Sequence, residues 1–348
     1  MQEKVLKISA CFCVILSIIA CAAFSYLPKL HGISLAFGRE EFEDLLLAGG
    51  ERVGISAINT DEEINFPQQL RVELPEGCDA SEVEVEQNYL TQTVELVIPT
   101  DSPDFLYDNS LVGSSRNISD VVMDYAGGKA VIEIVLDKVL ETEKTCSGKY
   151  LYLDFTSPHE IYDKVIVIDA GHGGNAPGAA KQGICEKDID LGIVLELQKL
   201  LEENERIGVY YTRLDDSNPS FSERVELANR AEADLFISIH NNSMSGSQYS
   251  KIHGTQVMYD EKKSDRESKD LAQICLEEVT STCGSADMGL VAGNDIFIIR
   301  SAKVPVALIE VGFMTNPEEL EKLNSKEYQK TVAEGIYQSV LRAFDEGY

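Results

Sequence analysis

The sequence predicts an α/β fold: a mostly parallel sheet with helices on both faces, preceded by a small antiparallel β domain and an N-terminal membrane or signal segment. Three observations predict this order. Residues 8–27 carry no charge, residues 51–158 show short alternating strands, and strands alternate with helical patterns over residues 164–348. Strands that alternate with helices are typical of a sheet covered on both sides.

The length and charge of the chain narrow its classes of function. A chain of 348 residues is expected to form two domains. Its apolar fraction of 44% is too high for a disordered protein. The formal net charge of -29 argues against nucleic acid as a partner, because a polyanion requires a basic surface. It also argues against electrostatic capture by anionic lipids, so the acidity indicates mainly solubility.

The first 27 residues are expected to be a signal peptide or a signal-anchor helix. The uncharged stretch follows Lys4 and Lys7, and about 20 apolar residues can cross a bilayer as one helix. The lysines favour an inside N-terminus and place the rest of the chain outside. The sequence leaves three fates of this segment open: retention as an anchor, cleavage near Ala20, or lipidation of Cys21. All three predict an extracytoplasmic protein, membrane-anchored or secreted to the cell surface.

A connector over residues 28–50 leads to a predicted β domain over residues 51–158. Alternating apolar and polar residues predict strands there, and Gly127-Gly128 between two of them is a hairpin signal. The predicted strands are residues 69–74, 82–86, 93–98, 121–125, 130–136 and 150–155. No cluster of His, Asp or Cys occurs in this part of the sequence at ligand spacing. The domain is therefore expected to bind a partner or to position the rest of the chain rather than to catalyse a reaction.

Residues 164–348 carry the alternation of strands and helices. Residues 165–168 are a continuous apolar run, which is typical of a strand buried on both faces of a parallel sheet. The further predicted strands are residues 206–212, 235–239, 254–259, 296–299 and 306–311. The predicted helices are residues 188–201, 221–231, 264–279 and 328–344. The long segment 262–294 is expected to border the cleft, as long inserts near sites sometimes do.

Four polar side chains stand at or near the ends of predicted strands. His172 follows the first of these strands among three glycines that leave its ring uncovered, and His240 and Glu310 end two others. Glu186 opens a predicted helix. Open α/β sheets place their ligands at the carboxyl ends of the strands, so we expect these four side chains to meet.

Two imidazoles and a carboxylate form a three-ligand metal set with an open position for water, and a second carboxylate nearby can act as general base. The same set fits a non-haem iron oxygenase, so spacing leaves zinc and iron both open. A dinucleotide fingerprint is disfavoured, because Pro177 and Gly178 stand where its helix should begin. The sequence has no CxxC pair, which argues against a cysteine zinc site. Disulfides between Cys78 and Cys146 or between Cys275 and Cys283 stay open.

Taken in order, these motifs resemble the zinc-dependent N-acetylmuramoyl-L-alanine amidases of bacterial cell-wall turnover. The match runs from about Lys164 to Ala343, roughly half the chain. It rests on residues 167–174, Gly178-Ala179, residues 186–188, Arg224 with Ala228-Asn229, residues 238–242 and residues 310–316.

The resemblance implies that His172, Glu186 and His240 bind one zinc ion and that Glu310 is the catalytic carboxylate. The implied reaction is hydrolysis of the amide between the lactyl group of N-acetylmuramic acid and L-alanine in peptidoglycan. Asn242 and Arg300 are further candidates for orienting ligands or substrate. The N-terminal β region resembles small β domains that precede some of these amidases, which implies wall binding or localisation. The need for an activator protein stays open.

One departure and two alternatives accompany this interpretation. Ala176 stands where the family often has an acidic residue, which changes the support of the loop without removing a ligand. A non-catalytic wall-binding protein with a degenerate site is one alternative, disfavoured because all four site residues are present. Another zinc hydrolase of the wall, a peptidase or a deacetylase, is the second.

Overall fold

The computed structural model describes residues 51–52, 54–60, 66–109, 111–244, 249–261 and 267–348. The predicted signal or anchor segment 1–27, with Cys21, and the connector 28–50 lie outside the described residues. Among the helices of the described ranges, none is both long and apolar enough to cross a bilayer.

Residues 51–156 form two facing sheets, here called the β-sandwich. The strands are β1 (Glu51–Arg52), β2 (Ile58–Asn59), β3 (Leu70–Glu73), β4 (Glu84–Asn88), β5 (Thr93–Pro99), β6 (Leu111–Gly113), β7 (Ile118–Ala126), β8 (Lys129–Leu136), β9 (Glu141–Ser147) and β10 (Tyr150–Thr156). One sheet has the order β1-β7-β8-β5-β4 and the other β2-β6-β3-β10-β9. Neighbouring strands in these two sheets run antiparallel apart from β2 with β6. The connections include 3-10 turns at Gly54–Ala57 and Ala80–Glu82 and the short helix α1 (Phe105–Asp108).

The period-two pattern of the sequence builds the core of the β-sandwich. In β10, Leu151, Leu153 and Phe155 point inward and pack on the buried side chains of β5 and β8. The hairpin between β7 and β8 turns at Gly127 and Gly128, both with positive φ, as a tight two-residue turn requires. The predicted strands of this region are present, while β1, β2, β6 and β9 were not predicted.

Three glutamates lie side by side on neighbouring strands of the sheet β1-β7-β8-β5-β4. Glu86 on β4 faces Glu95 on β5, which in turn faces Glu133 on β8. Burial, with the charges of Glu86 and Glu133, raises the pKa of Glu95 to about 7. Like charges directly opposite each other destabilise a sheet, so the row weakens the folded state when it is ionised.

Glu95→Gln should therefore stabilise the protein at pH 8 and do so less at pH 5. The folded-state pKa of Glu95 lies above its ordinary value of 4.5, so stability is lost as pH rises from about 4.5 to about 7. Because the side chain is partly exposed, we expect about 1–2 kcal/mol at pH 8 after solvent screening. Denaturant unfolding at both pH values measures this, with Glu76→Gln as an exposed control. Equal effects at the two pH values would contradict the assignment.

Residues 164–348 form the α/β unit, whose central sheet has the order β14-β11-β15-β18-β16-β17. Its strands are β11 (Lys164–Ala170), β14 (Ile207–Tyr211), β15 (Leu235–Asn242), β16 (Thr255–Tyr259), β17 (Asp287–Ala292) and β18 (Val306–Phe313). A small hairpin of β12 (Ala180–Lys181) and β13 (Ile184–Cys185) precedes the first long helix. Neighbouring strands run parallel apart from β16 with β18.

Helices cover both faces of this sheet, which confirms the predicted α/β class. They are α2 (Pro158–Ile161), α3 (Glu186–Leu201), α4 (Phe221–Arg230), α5 (Glu267–Cys283), α6 (Phe297–Ser301), α7 (Pro317–Leu323) and α8 (Lys326–Asp345). Helices α3, α5 and α8 pack in the core on one face, and α4 and α6 pack in the core on the other. A capping box of Ser220 and Glu223 starts α4.

Two predictions for the α/β unit are wrong. The apolar run at residues 296–299 is not a strand but the start of helix α6, since a short apolar run fits either structure and packing decides. The segment 262–294 supplies α5 and the edge strand β17 instead of a lid. Among its described residues, none lines the cleft.

A shared carboxylate joins the β-sandwich to the α/β unit. Tyr89 and Tyr210 pack edge to face, with ring centroids 4.9 Å apart. Each hydroxyl donates to one oxygen of Glu141, at 2.6 Å. Burial and the charge of Glu141 raise the pKa of both tyrosines, which keeps the hydroxyls protonated as donors. We refer to these three residues as the tyrosine clamp.

Candidate functional site

The four predicted site residues converge at the carboxyl edge of the central sheet. His172 follows β11, His240 lies in β15 and Glu310 in β18, where the two are register partners. Glu186 is the first residue of α3. Parallel strands end at the same edge, which is why residues far apart in sequence meet here.

Glu186 lies between the two histidines. Its Oε1 atom is 2.9 Å from Nε2 of His172 and 3.0 Å from Nδ1 of His240. The backbone amide of Asn241 donates to the same oxygen at 3.1 Å, and that of Ala179 donates to Oε2 at 2.7 Å. Burial alone raises the pKa of Glu186, but hydrogen bonds from the two histidines lower it below its usual range. Glu186 is therefore a fixed, ionised carboxylate.

Asp190 joins this group, although the sequence analysis did not single it out. Donor atoms of His172, Glu186, Asp190 and His240 lie within 4.8 Å of one another. Asp190 is fully buried, and its Oδ1 accepts a hydrogen bond from Asn241 at 2.7 Å. In the described part of the chain, no donor reaches its Oδ2. The signal was available, because Glu186 and Asp190 stand four residues apart and share one face of α3.

Glu310 lies beside His240 on the neighbouring strand. No described residue donates a hydrogen bond to its buried Oε2. Burial raises the pKa of Glu310 to about 7; Glu186 contributes to the increase and His240 opposes it. Burial lowers the pKa of His240, but the carboxylates of Glu186, Asp190 and Glu310 raise it to about 9. The site is therefore rich in negative charge and attracts a cation.

Two buried arginines hold the loop that carries His172. Arg224 donates to the carbonyls of Ala170 and His172 at 2.6 and 2.5 Å. Arg213 donates to the carbonyls of Ala170 and Gly171 at 3.0 and 2.6 Å. His172 has a φ of 58°, an unfavourable conformation for a residue with a Cβ atom. The arginine contacts compensate for this strain and fix the backbone from which the imidazole projects.

A buried carboxylate beneath this loop balances Arg224. Asp169 is fully buried and lies 2.6 Å from the guanidinium. Thr212 and Ser238 also donate to it, each at 2.6 Å. Although burial raises the pKa of Asp169, the charges of Arg224 and His240 and the hydrogen bonds from Ser238 and Thr212 together keep it below its usual value.

Two glycines allow the close approach of the site residues. A Cβ atom on Gly171 would lie 2.4 Å from the His240 ring and 2.7 Å from Oδ2 of Asp190. A Cβ atom on Gly178 would lie 2.5 Å from Glu186 and 2.6 Å from the His172 ring. Only glycine leaves room for the imidazoles and carboxylates to face a common point.

The loop at Ala176 is supported without the acidic residue that the family often has there. Backbone hydrogen bonds of 3.0 and 2.8 Å join Gly173 and Ala176. Asp216 approaches from a neighbouring loop and accepts a hydrogen bond from the amide of Gly174 at 3.0 Å. Lys187 bonds both Asp216 and the carbonyl of Gly174. Asp216 thus provides a carboxylate beside the loop from another part of the chain.

The two weaker candidates differ in their placement. Asn242 lines the cleft, where its Oδ1 accepts from the amide of Ser243 at 2.7 Å. Arg300 is exposed on α6, with its guanidinium 5.2 Å from the centroid of the Phe297 ring. Arg300 is not among the described residues that line the cleft. The structure therefore brings Asn242 to the site and leaves Arg300 at its margin.

The two disulfides left open are not formed, as all five cysteines of the described ranges are free.

The site opens into a cleft of about 490 Å³. Its lining includes the polar residues Asn242 and Ser243 and the apolar residues Phe221, Ile296 and Phe297. The four predicted site residues, His172, Glu186, His240 and Glu310, line the same cleft. A cleft with apolar lining and a few convergent polar groups is the usual form of a substrate site.

The donor set fits a divalent metal ion. Two imidazoles and two carboxylates face one point, and Oδ2 of Asp190 lacks a hydrogen-bond donor within the described chain. Nitrogen and oxygen ligands in this combination are typical of zinc. Asn241 and Ala179, which donate to Glu186, would orient the ligand set from outside.

Comparisons with known proteins identify the family of the α/β unit. The family model described as N-acetylmuramoyl-L-alanine amidase matches residues 166–342, just over half of the chain. The germination-specific N-acetylmuramoyl-L-alanine amidase of Bacillus subtilis (strain 168) is 32% identical over 197 residues, which cover 53% of this chain and 81% of that protein.

A solved structure agrees with this result. The crystal structure of N-acetylmuramoyl-L-alanine amidase from Clostridium difficile 630 is 35% identical, with a TM-score of 0.50, over 53% of this chain and 98% of that one. The CwlD amidase from Clostridioides difficile, solved in complex with the GerS lipoprotein, is 31% identical, with a TM-score of 0.49, over 53% of this chain and 99% of that one. The predicted resemblance is confirmed: the chain belongs to the N-acetylmuramoyl-L-alanine amidase family.

Proposed function

We propose that the α/β unit hydrolyses the amide bond between N-acetylmuramic acid and L-alanine in peptidoglycan, as a zinc enzyme with Glu310 as its general base. The observation that carries the proposal is the placement of Glu310. Its unpartnered oxygen, among the described residues, lies beside a cluster of metal-binding side chains at the floor of one cleft.

His172, Glu186 and His240 are the residues that would hold the zinc ion, with Asp190 beside them. Bound zinc lowers the pKa of water and polarises a carbonyl group. The protein contributes a rigid ligand set, because Glu186 is fixed by two backbone amides and the His172 loop by two arginines.

Glu310 is proposed to move the proton. A carboxyl group with a pKa of about 7 is ionised in a large fraction of molecules at neutral pH and can accept a proton from the attacking water. Once protonated, it can pass that proton to the nitrogen of the departing L-alanine. Its burial favours the uptake of the proton, because the neutral acid is the form that a buried carboxyl group prefers.

The remaining predictions concern compartment and attachment. Peptidoglycan lies outside the cytoplasmic membrane, so we place the α/β unit in that compartment. Residues 1–27 as anchor or signal, and the region 51–158 as a wall-binding or localising domain, stay predictions. An activator protein stays open for this chain.

The first experiment measures metal content and reaction products of the purified chain on isolated peptidoglycan. We expect about one zinc ion per molecule and new L-alanine amino groups. His240→Ala should lose most of the metal and the activity, because the pair of imidazoles is broken, whereas His253→Ala, with an exposed imidazole, should retain both. Released acetate or other new amino termini would instead indicate a deacetylase or a peptidase. Bound iron without zinc would overturn the metal assignment.

A further inference from the structure

Two phenylalanines form an aromatic wall beside the metal-binding residues. Phe221 is the first residue of α4 and Phe297 the first residue of α6. Their ring centroids are 6.3 Å apart, with the planes inclined by 30°. Both line the cleft that holds His172 and Glu310. We call this pair the phenylalanine platform.

Phe297 packs partly on the core of the α/β unit, but core packing does not explain the position of Phe221. Phe221 is 62% exposed, although it continues the stripe of α4 that buries Val225 and Ala228. At Phe221 that stripe leaves the core and reaches the cleft. The guanidinium of Arg300 lies over the Phe297 ring, 5.2 Å from its centroid, and this cation–π contact stabilises the position of the ring. A large exposed aromatic side chain bordering a cleft is characteristic of a binding surface.

The lining of the cleft combines two kinds of chemistry. Besides the phenylalanine platform it presents the amide and hydroxyl groups of Asn242 and Ser243. The same cleft is lined by His172 and Glu310, which would act on the scissile bond. A substrate that fills the cleft therefore meets both a flat apolar surface and hydrogen-bonding groups.

The amide bond of the proposed function joins two such parts. On one side is a pyranose ring, whose C–H faces and N-acetyl methyl group pack well on aromatic rings. On the other side is a peptide, whose amides can form hydrogen bonds with Asn242 and Ser243. We propose that Phe221 and Phe297 bind the sugar ring of the muramyl residue, so that the enzyme selects amides that carry a saccharide. This inference rests on the proposed function.

The test compares two substrates of the full chain that differ only in the sugar. One is a purified muropeptide, and the other is the same stem peptide acylated with O-methyl-D-lactate, which keeps the scissile amide. In Phe221→Ala, the ratio of kcat/KM for the muropeptide to that for the lactyl peptide should fall about 3- to 10-fold. The decrease should come from a higher KM for the muropeptide, with little change in kcat. Phe221→Tyr keeps an aromatic face and should retain most of the ratio.

A control and two outcomes separate the inference from the proposed function. Tyr107→Ala removes another exposed aromatic side chain, on α1 in the β-sandwich, and should not change the ratio. Should Phe221→Ala lower kcat/KM equally for both substrates, the platform binds the peptide or lactyl part and the inference is overturned. Should the parent protein cleave neither substrate while folded and metal-loaded, the proposed function itself fails.

Discussion

Glu310→Gln should lower kcat on peptidoglycan by about 10²- to 10⁴-fold while leaving the metal content unchanged. The glutamine keeps the size of the side chain but cannot accept the proton of the attacking water. Glu310 lies outside the set of four residues whose donor atoms cluster for a metal. Its removal therefore separates proton transfer from metal binding. The measurements are kcat on isolated peptidoglycan and zinc per molecule, made on the same preparation.

Glu318→Gln provides the control, because Glu318 is exposed at the start of α7. It should leave both quantities unchanged. If Glu310→Gln lost zinc in proportion to activity, Glu310 would act as a ligand, and the proposed division of roles would be incorrect.

Arg224→Leu should destabilise the protein by about 3–5 kcal/mol. The guanidinium is 2% exposed and forms an ion pair with Asp169, which is 0% exposed. Leucine would leave the charge of Asp169 without its cation, and the carbonyls of Ala170 and His172 would lose a donor. Breaking a buried pair by removing one partner is costly because the remaining charge stays desolvated. Denaturant unfolding of the metal-free protein measures the effect.

Arg230→Leu on the same helix is the matched control. Arg230 pairs with Glu226 near the surface, and such pairs contribute about 0–1 kcal/mol. A loss as large as that of Arg224→Leu would show that the effect belongs to the helix and not to the buried pair. A small loss for Arg224→Leu would show that Asp169 takes up a proton at little cost.

The sequence was sufficient for the features that follow from periodicity and from strand ends. Continuous apolar runs correctly located β11, β15 and β18, and polar residues at their ends correctly located His172, His240 and Glu310 at one edge of the sheet. Roles as zinc ligands and as general base go beyond this placement and await the metal and kinetic measurements.

The rest depended on packing that local pattern does not encode. The apolar run at residues 296–299 is too short to distinguish strand from helix, and contacts with α4 and β18 accompany the helical form. Asp190 looked like one acidic residue among many in a chain with 59 of them. Its burial beside His240 becomes evident only when α3 is packed on the sheet. The supporting carboxylate of Asp216 likewise comes from a loop distant in sequence.

If the β-sandwich binds the wall, as the sequence predicts, the tyrosine clamp affects where cuts fall along it. Neighbouring domains usually rotate relative to each other unless their contact is firm. Here one carboxylate accepts hydrogen bonds from a tyrosine of each part, which resists such rotation. If the β-sandwich holds a fixed point on a glycan strand, the cleft can reach only bonds at a set distance and angle from it. The clamp would then act as a ruler, and successive cuts would be spaced rather than random.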